Sequence, residues 1–433
     1  MLQKFKKHIN NNFSYLRDKK LLIAISGGLD SVVLQHLLSQ LNFDISLAHC
    51  NFKLRGKESD LDEEFIKKIS KKYSNQIFTI NFDTNKFSQK NKLSTQIAAR
   101  QLRYNWFQEL IEKHNFNYVL TAHHADDNLE TFLINLTRGT GLDGFTGIPE
   151  KNGNIIRPLL PFSREEIFEY ANEHKIEWRE DASNASTKYI RNKIRHQIVP
   201  ILKEINPTLL NTFSNTIDNL QESKQIIEDK IEDVKSKTIT SENSIIKIDI
   251  DKINQLSKPK AYLFQLLKVY NFTEWNDVYN LLSAQSGKQV FSENYRLLKD
   301  RGFLLLSKKK PTSSKELSFQ IDKNQTQISN PISLVFEEVQ QKSSENKQTI
   351  YVDKDLLKYP LKIRKWQNGD YLYPQGMQGK KKLSKYFKDE KFSLLEKENT
   401  WLLCNTDNEI IWVINHRQDN RFIKKNNLKI TTT

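Results

Sequence analysis

Cysteine is almost missing: two residues in 433, Cys50 and Cys404, with no Cys-x-x-Cys. Disulfide frameworks, structural zinc sites and iron–sulfur clusters need paired or clustered thiols, so all three lose support. Long apolar runs are lacking as well. No stretch approaches the roughly 18–20 apolar residues that cross a bilayer. The opening Met-Leu-Gln-Lys-Phe-Lys-Lys carries charge without the apolar core of a signal peptide. A cytoplasmic protein without membrane association is expected. The string Gly-x-x-x-x-Gly-Lys-Ser/Thr does not occur, which argues against a Walker-type NTPase. No internal repeat is visible.

What is present suits a folded, multi-domain chain. At 433 residues, two or three domains are the starting expectation. Hydrophobic residues at 37% and aromatics at 10% suffice for real cores, while a mean hydropathy of -0.65 implies a heavily polar surface. The formal charge of +15 and pI near 9.4 favour a polyanionic partner, because clustered Lys and Arg displace counterions from phosphate backbones. Coding bias toward Lys, Asn and Ile would raise the pI equally well, so nucleic acid rests on more than composition.

The first two hundred residues alternate short apolar runs with amphipathic segments. Strands are expected at 21–25, 45–49, 77–81 and 118–122, and helices at 31–41, 60–72, 95–113 and 129–138. That order predicts an α/β fold with a doubly wound, mostly parallel sheet over residues 1–205. Patterning restarts after Pro200 and Pro207. Residues 206–310 are expected to form a helical domain contacting RNA, with a charged stretch at 222–237 that reads as a solvated helix face. A Ser-, Lys-, Gln- and Asn-rich linker, carrying a strand or two, is expected at 311–349, and a small α+β or mainly β C-terminal domain at 350–433.

Ser26-Gly27-Gly28-Leu29-Asp30-Ser31 follows the first strand and opens a helix. Adjacent glycines let several amides face one phosphate, and the helix dipole favours negative charge there. Asp30 is odd in an anion site unless it holds magnesium bridging the phosphates. An ordinary Gly-Gly turn would not need the hydroxyls of Ser26 and Ser31. This string resembles the PP-loop of the N-type ATP pyrophosphatase superfamily, whose members split ATP between the α- and β-phosphates, adenylate a carbonyl oxygen and let a nucleophile displace AMP.

Further strings narrow the resemblance. His49-Cys50-Asn51-Phe52-Lys53-Leu54-Arg55-Gly56-Lys57-Glu58-Ser59-Asp60 is similar to a signature of tRNA(Ile)-lysidine synthetases, at the carboxyl end of the second expected strand. Thr121-Ala122-His123-His124-Ala125-Asp126-Asp127-Asn128-Leu129-Glu130-Thr131 matches the same family nearly residue for residue. A transition-metal site of two His and two Asp is the less favoured reading of that string. Ala99-Arg100 with Arg103-Tyr104 resembles a family helix, its arginines reaching phosphates or pairing with acids, and Gln96 stands where the family's acidic residue is expected. Arg157-Pro158-Leu159-Leu160, the run from Trp178 to Asn184, and the run from Tyr189 to His196 look like the continuation of that domain. Trp366-Gln367-Asn368-Gly369-Asp370, Gly376-Met377 and the run from Lys380 to Lys388 resemble its C-terminal tRNA-binding domain.

The resemblance implies a ligase that uses ATP and Mg2+ to join free L-lysine to C2 of the wobble cytidine of a CAU-anticodon tRNA(Ile). It implies ATP at Ser26, Gly27, Gly28, Leu29, Asp30 and Ser31, with the metal on Asp30. Asp127 and Glu130, three apart and so on one helix face, become the lysine-binding pair, with Asp126 or His123 nearer the nucleotide. Arg191 and Arg195, one helical turn apart, would neutralise the activated intermediate or the RNA. Arg55, Lys380, Lys381, Lys382, Lys385 and Lys388 become tRNA contacts, with Tyr386 and Phe387 as aromatic platforms. A homodimer stays open, and the base that deprotonates lysine is not legible. A tRNA thiolase on the same scaffold would need sulfur-carrying cysteines. A catalytically inert RNA binder need not keep Asp30, Asp127 and Glu130.

Overall fold

In the computed structural model, the alternation of the first half becomes a six-stranded sheet. Its strands are Leu21–Ala24, Ile45–Asn51, Gln76–Asn81, Tyr118–Leu120, Ile155–Ile156 and Lys151–Asn152. Taken in sequence order as first to sixth, they lie third, second, first, fourth, sixth, fifth, and every pair is parallel except the short edge hairpin. The structure describes all residues except 181–189, 243, 310–317, 341–345, 375, 376, 378, 426 and 433. It divides into the compact units Met1–Glu228 and Asp229–Thr433.

Period-two alternation supplies both faces of this sheet. Leu21 and Ile23 bury against Val33, Leu34, Leu37 and Leu38 of the helix Leu29–Gln40, while Leu22 and Val119 face Trp106, Phe107 and Leu110 of the helix Thr95–His114. The chain leaves the first strand toward the second and third, then crosses back to the fourth. The carboxyl ends of the first and fourth strands therefore flank a topological switch point, where open α/β sheets bind ligands. There the loop 25–28 and the residues 121–124 come together.

After this sheet the helices Arg164–Glu173 and Leu209–Thr238 follow, with a helical run between them at 190–205. That run changes character midway: Ile190–Lys193 is α, Ile194–Ile198 is π, and Val199–Ile205 is α again. Pro200 explains the wide turn, since its ring excludes the carbonyl four residues back and its nitrogen donates no bond.

The domain boundary expected at 205 lies too early for packing. Phe213 and Ile217 bury with Leu129, Ile134, Ile194 and Val199, and the division between units falls inside the helix Leu209–Thr238. Residues 206–310 contain the expected helices, and also a five-stranded antiparallel sheet built from Ile239–Glu242, Ile245–Asp249, Gln289–Phe291, Tyr295–Asp300 and Phe303–Lys308. The expected linker needs correction as well. Its described part supplies Phe319–Ile321, which pairs with Leu361–Lys365, and the hairpin of Gln327–Ile328 with Leu334–Glu338, whose second strand pairs with Leu428–Thr432; Ile321, Leu334 and Phe336 bury in the C-terminal core. The strand or two expected here are three, and a polar composition hid how they pack, since each buries only one face. Among the described residues, no helix is long and apolar enough to cross a membrane.

Candidate active site

The loop after the first strand turns at Gly27, whose φ of +89° a side chain would oppose. The hydroxyl of Ser31 accepts from the Ser26 amide at 3.2 Å and donates to the Gly28 carbonyl at 3.0 Å, and the Gly28 amide reaches Ser26 Oγ at 3.3 Å. The Arg179 amide donates to the Gly27 carbonyl at 3.0 Å. Gly28 caps the helix Leu29–Gln40, so the loop meets a helix N-terminus and its unpaired amides.

Two cavities open on this loop and share Ser26, Arg55 and Asp62. One, of about 430 Å³, is lined by His49, Asn51, Phe52, Gln96 and Arg103 among others; the second, of about 660 Å³, by Gly28, Asp30, Arg164, Trp178 and Arg195. Asp62 accepts from Arg55 Nη2 and Arg179 Nε, both at 2.6 Å, so a buried carboxylate fixes two guanidinium groups at the common wall. Arg55, expected on the RNA, thus stands beside the phosphate loop. Arg103 lies 5.3 Å over the Phe52 ring and Arg100 lies 4.7 Å over Tyr104.

The fourth strand delivers His123 and His124 to the same place. The helix Ala125–Arg138 starts four residues earlier than expected, which puts Asp126 and Asp127 in its first turn; the Asp127 carboxylate caps the His124 amide at 3.2 Å. His124 is buried among three acids, with Nε2 at 3.5 Å from Asp127 and 3.8 Å from Asp30, and Nδ1 at 3.6 Å from Asp126. Burial alone would lower its pKa, but Asp127, Asp126 and Asp30 raise it. At His123 burial outweighs the pull of Asp127 and pushes the pKa down to about 4. Burial also raises the pKa of Asp30, whose Oδ1 is enclosed without a hydrogen-bond partner.

Asp127 and Glu130 do share a helix face, and the arginines expected to meet anions are bonded to them. Arg195 grips Glu130 in a fork at 2.6 and 3.0 Å and reaches Asp127 at 3.1 Å; Arg191 lies 3.8 Å from Glu130 and donates to Thr131 at 2.8 Å. The Glu130 side chain is 1% exposed. Burial raises its pKa in spite of Arg195, whereas His124, His123 and the two arginines outweigh burial at Asp127 and lower its pKa. The structure therefore brings Asp30, Asp127, Glu130, Arg191 and Arg195 into one cluster. His124 and Lys203 were overlooked in the sequence. His124 lies in the string Thr121–Thr131, where it counted only toward the less favoured metal site; Lys203, which bonds Asp126 at 2.8 Å, has no local signal.

Asp30 suits a magnesium ion that is also held by phosphate oxygens. Among the described residues, no three of His, Cys, Asp and Glu form a metal-holding group. Magnesium commonly needs only one or two carboxylates beside phosphate oxygens, and the enclosed, unpartnered Asp30 Oδ1 suits that. Both thiols are unsuited to sulfur transfer: burial pushes Cys50 and Cys404 up to about 12.

In the C-terminal domain, Lys380, Lys382, Lys385 and Lys388 are exposed. Lys381 is half-buried and paired with Asp389 at 2.8 Å. Tyr386 and Phe387 are not platforms: they fill the core with Leu372, Leu383, Leu402 and Val413, because the helix Leu383–Asp389 turns them inward. Tyr371 is the exposed ring nearby, with Lys380 at 5.0 Å. Residues 181–184, Tyr189 and Gly376 of the quoted strings lie outside the described residues.

Comparisons with known proteins cover most of the chain. A PP-loop domain family matches residues 1–202, a TilS substrate binding domain 241–309, and a TilS substrate C-terminal domain 361–431. A tRNA(Ile)-lysidine synthase of Bacteroides thetaiotaomicron is 38% identical over 97% of this chain and 96% of its own. One from Parabacteroides distasonis is 39% identical over 94% and 92%, and one from Clostridium perfringens 30% identical over 99% and 97%.

Proposed function

The chain belongs to the tRNA(Ile)-lysidine synthase family, and we propose that it joins free lysine to C2 of the wobble cytidine of a CAU-anticodon tRNA(Ile) at the switch point of its parallel sheet. The observation that carries this reading is the adjacency of an anion-binding loop and a paired-carboxylate helix face. His124 touches both, at 3.8 Å from Asp30 and 3.5 Å from Asp127.

ATP lies with its phosphates on the amides and hydroxyls of residues 26–31 and its adenosine in the cavity lined by His49, Asn51 and Phe52. Asp30 would hold magnesium, which when bound neutralises phosphate charge. In the first step the C2 carbonyl oxygen of cytidine attacks the α-phosphorus, the bond to the bridging oxygen breaks and pyrophosphate leaves. In the second, the deprotonated ε-amine of lysine attacks C2; the C2–O bond breaks and AMP departs with that oxygen. Arg195 lines the cavity of the phosphate loop while gripping the acid pair. Arriving phosphate charge draws it from Glu130, and the vacated carboxylate takes a lysine ammonium. The exposed Lys380, Lys382, Lys385 and Lys388 hold tRNA phosphates.

Asp30→Ala tests the metal and nucleotide assignment. ATP–pyrophosphate exchange should vanish with tRNA binding nearly intact, and an unchanged exchange rate would remove Asp30 from the site.

A further inference from the structure

One buried side chain in the cluster has no assigned part in the chemistry. Asp126 points away from the Asp127–Glu130 face, and both of its oxygens are engaged. Lys203 Nζ meets Oδ1 at 2.8 Å and the Arg164 amide donates to Oδ2 at 2.9 Å, with His124 Nδ1 at 3.6 Å from that same Oδ2. Lys203 is fixed from its other side by Glu165 at 2.8 Å. A carboxylate held at each oxygen by a different element has one orientation available, and it presents that orientation to the imidazole edge.

We propose that Asp126, locked by Lys203, is a positioning residue that sets the His124 ring between Asp30 and Asp127 and so fixes the spacing of the nucleotide and lysine halves of the site. The idea rests on the two-step reading above. Three acids surround one buried imidazole, and without a countercharge on Asp126 they would compete for it. Lys203 supplies that countercharge from outside the cluster. It comes from the same helical run that carries Arg195, so the run 190–205 sets both the partner of the acid pair and the anchor of the histidine. The His124 Nδ1 meets Asp126 at ion-pair distance and not as a hydrogen bond, and a misplacement of about 1 Å in a catalytic geometry can cost on the order of 100-fold in rate.

Lys203 could instead be only a clamp between three helices, and the experiment separates the two roles. Lys203→Met, Asp126→Asn and Lys203→Arg are each compared with wild type in ATP–pyrophosphate exchange and in lysine transfer to CAU-anticodon tRNA. Thermal melts run alongside, with NMR of the histidine ring nitrogens assigned through His124→Gln. Positioning predicts that Lys203→Met and Asp126→Asn lower kcat of both steps by up to about 100-fold, with little change in KM for ATP or lysine. The His124 ring signals should move in both variants, and Lys203→Arg should restore signals and rate. Folded variants with normal kcat, or slowed variants with unmoved His124 signals, overturn the proposal. If a variant melts too early to assay, Glu165→Gln, which removes only the outer support of Lys203, must shift the His124 signals in the same direction or the proposal fails. Absence of lysine transfer by the wild type would instead strike the two-step reading, and the ring signals would still report on positioning.

Discussion

Glu130→Gln is the sharpest perturbation of the site, because it removes one charge and keeps the shape. The carboxylate is 1% exposed and receives two bonds from Arg195, at 2.6 and 3.0 Å. Breaking a buried ion pair by deleting one partner costs about 3–5 kcal/mol. The amide keeps one acceptor, and Asp127 stays on Arg195 at 3.1 Å, so a loss of about 2–3 kcal/mol is the better figure. For a unit of this size that is a fall of roughly 4–12 °C in melting temperature. Lysine should suffer separately: losing a charge-assisted contact to its ammonium costs about 1.5–3 kcal/mol, a roughly ten- to hundredfold loss of affinity. The phosphate loop is untouched, so exchange of pyrophosphate into ATP should persist, and adenylated tRNA should accumulate or hydrolyse with futile release of AMP. The assay is lysine saturation and AMP release on one preparation, with a melt alongside. A normal lysine curve from a folded variant would remove Glu130 from the lysine site. The acid would then serve only to hold Arg195.

Other expectations follow from single features. Replacing Lys380, Lys382 and Lys385 by Ala should weaken tRNA binding and reduce the log–log salt slope by roughly 0.7–0.9 per lost phosphate contact; a slope equal to wild type would make the run a solvated face. Lys381 is left out of that set because Asp389 already occupies it. The His123 pKa, down at about 4, lies below that of a free imidazole, about 6.5. The unfolded chain therefore binds more protons between those values, so stability is full above about pH 6.5 and falls on acidification toward 4, by about 1.4 kcal/mol per unit from this residue. In denaturant titrations His123→Gln should flatten that slope, and an unaltered slope would contradict the burial argument.

The parallel sheet was legible because its strands are short apolar runs separated by helices of crossover length, a pattern few folds share. The phosphate loop was legible because residues 26–31 are contiguous. What the chain brings together from afar was not. Asp62 with Arg55 and Arg179, and Asp126 with Lys203, join residues whose spacing in sequence says nothing of their contact. Asp127 and Glu130 were recognised as a pair, yet Arg195 was read as a partner of anions in general and not of these two acids. At 319–338 a strand or two were expected, but their place in the C-terminal core escaped for a different reason: each is short and buries one face, so polar residues dominate its composition. Tyr386 and Phe387 misled through their lysine neighbours, since charge in the sequence does not reveal which way a helix turns.

The π turn at Ile194–Ile198 has one more implication, for what this helix can tolerate. A wide turn holds one residue more than an α turn, so the segments on either side of it keep the phase they would have in a helix without that residue. Deleting one residue after Arg195 in the turn would close it to an α turn and leave Arg195 and Lys203 near their places, whereas a deletion at Ile201 or Leu202, in the α segment, has no surplus to absorb it and would rotate Lys203 by about 100° off Asp126. Side chains that face solvent, such as Ile198, can be exchanged at little cost, and the wide turn can lose a residue where the α segment after it cannot.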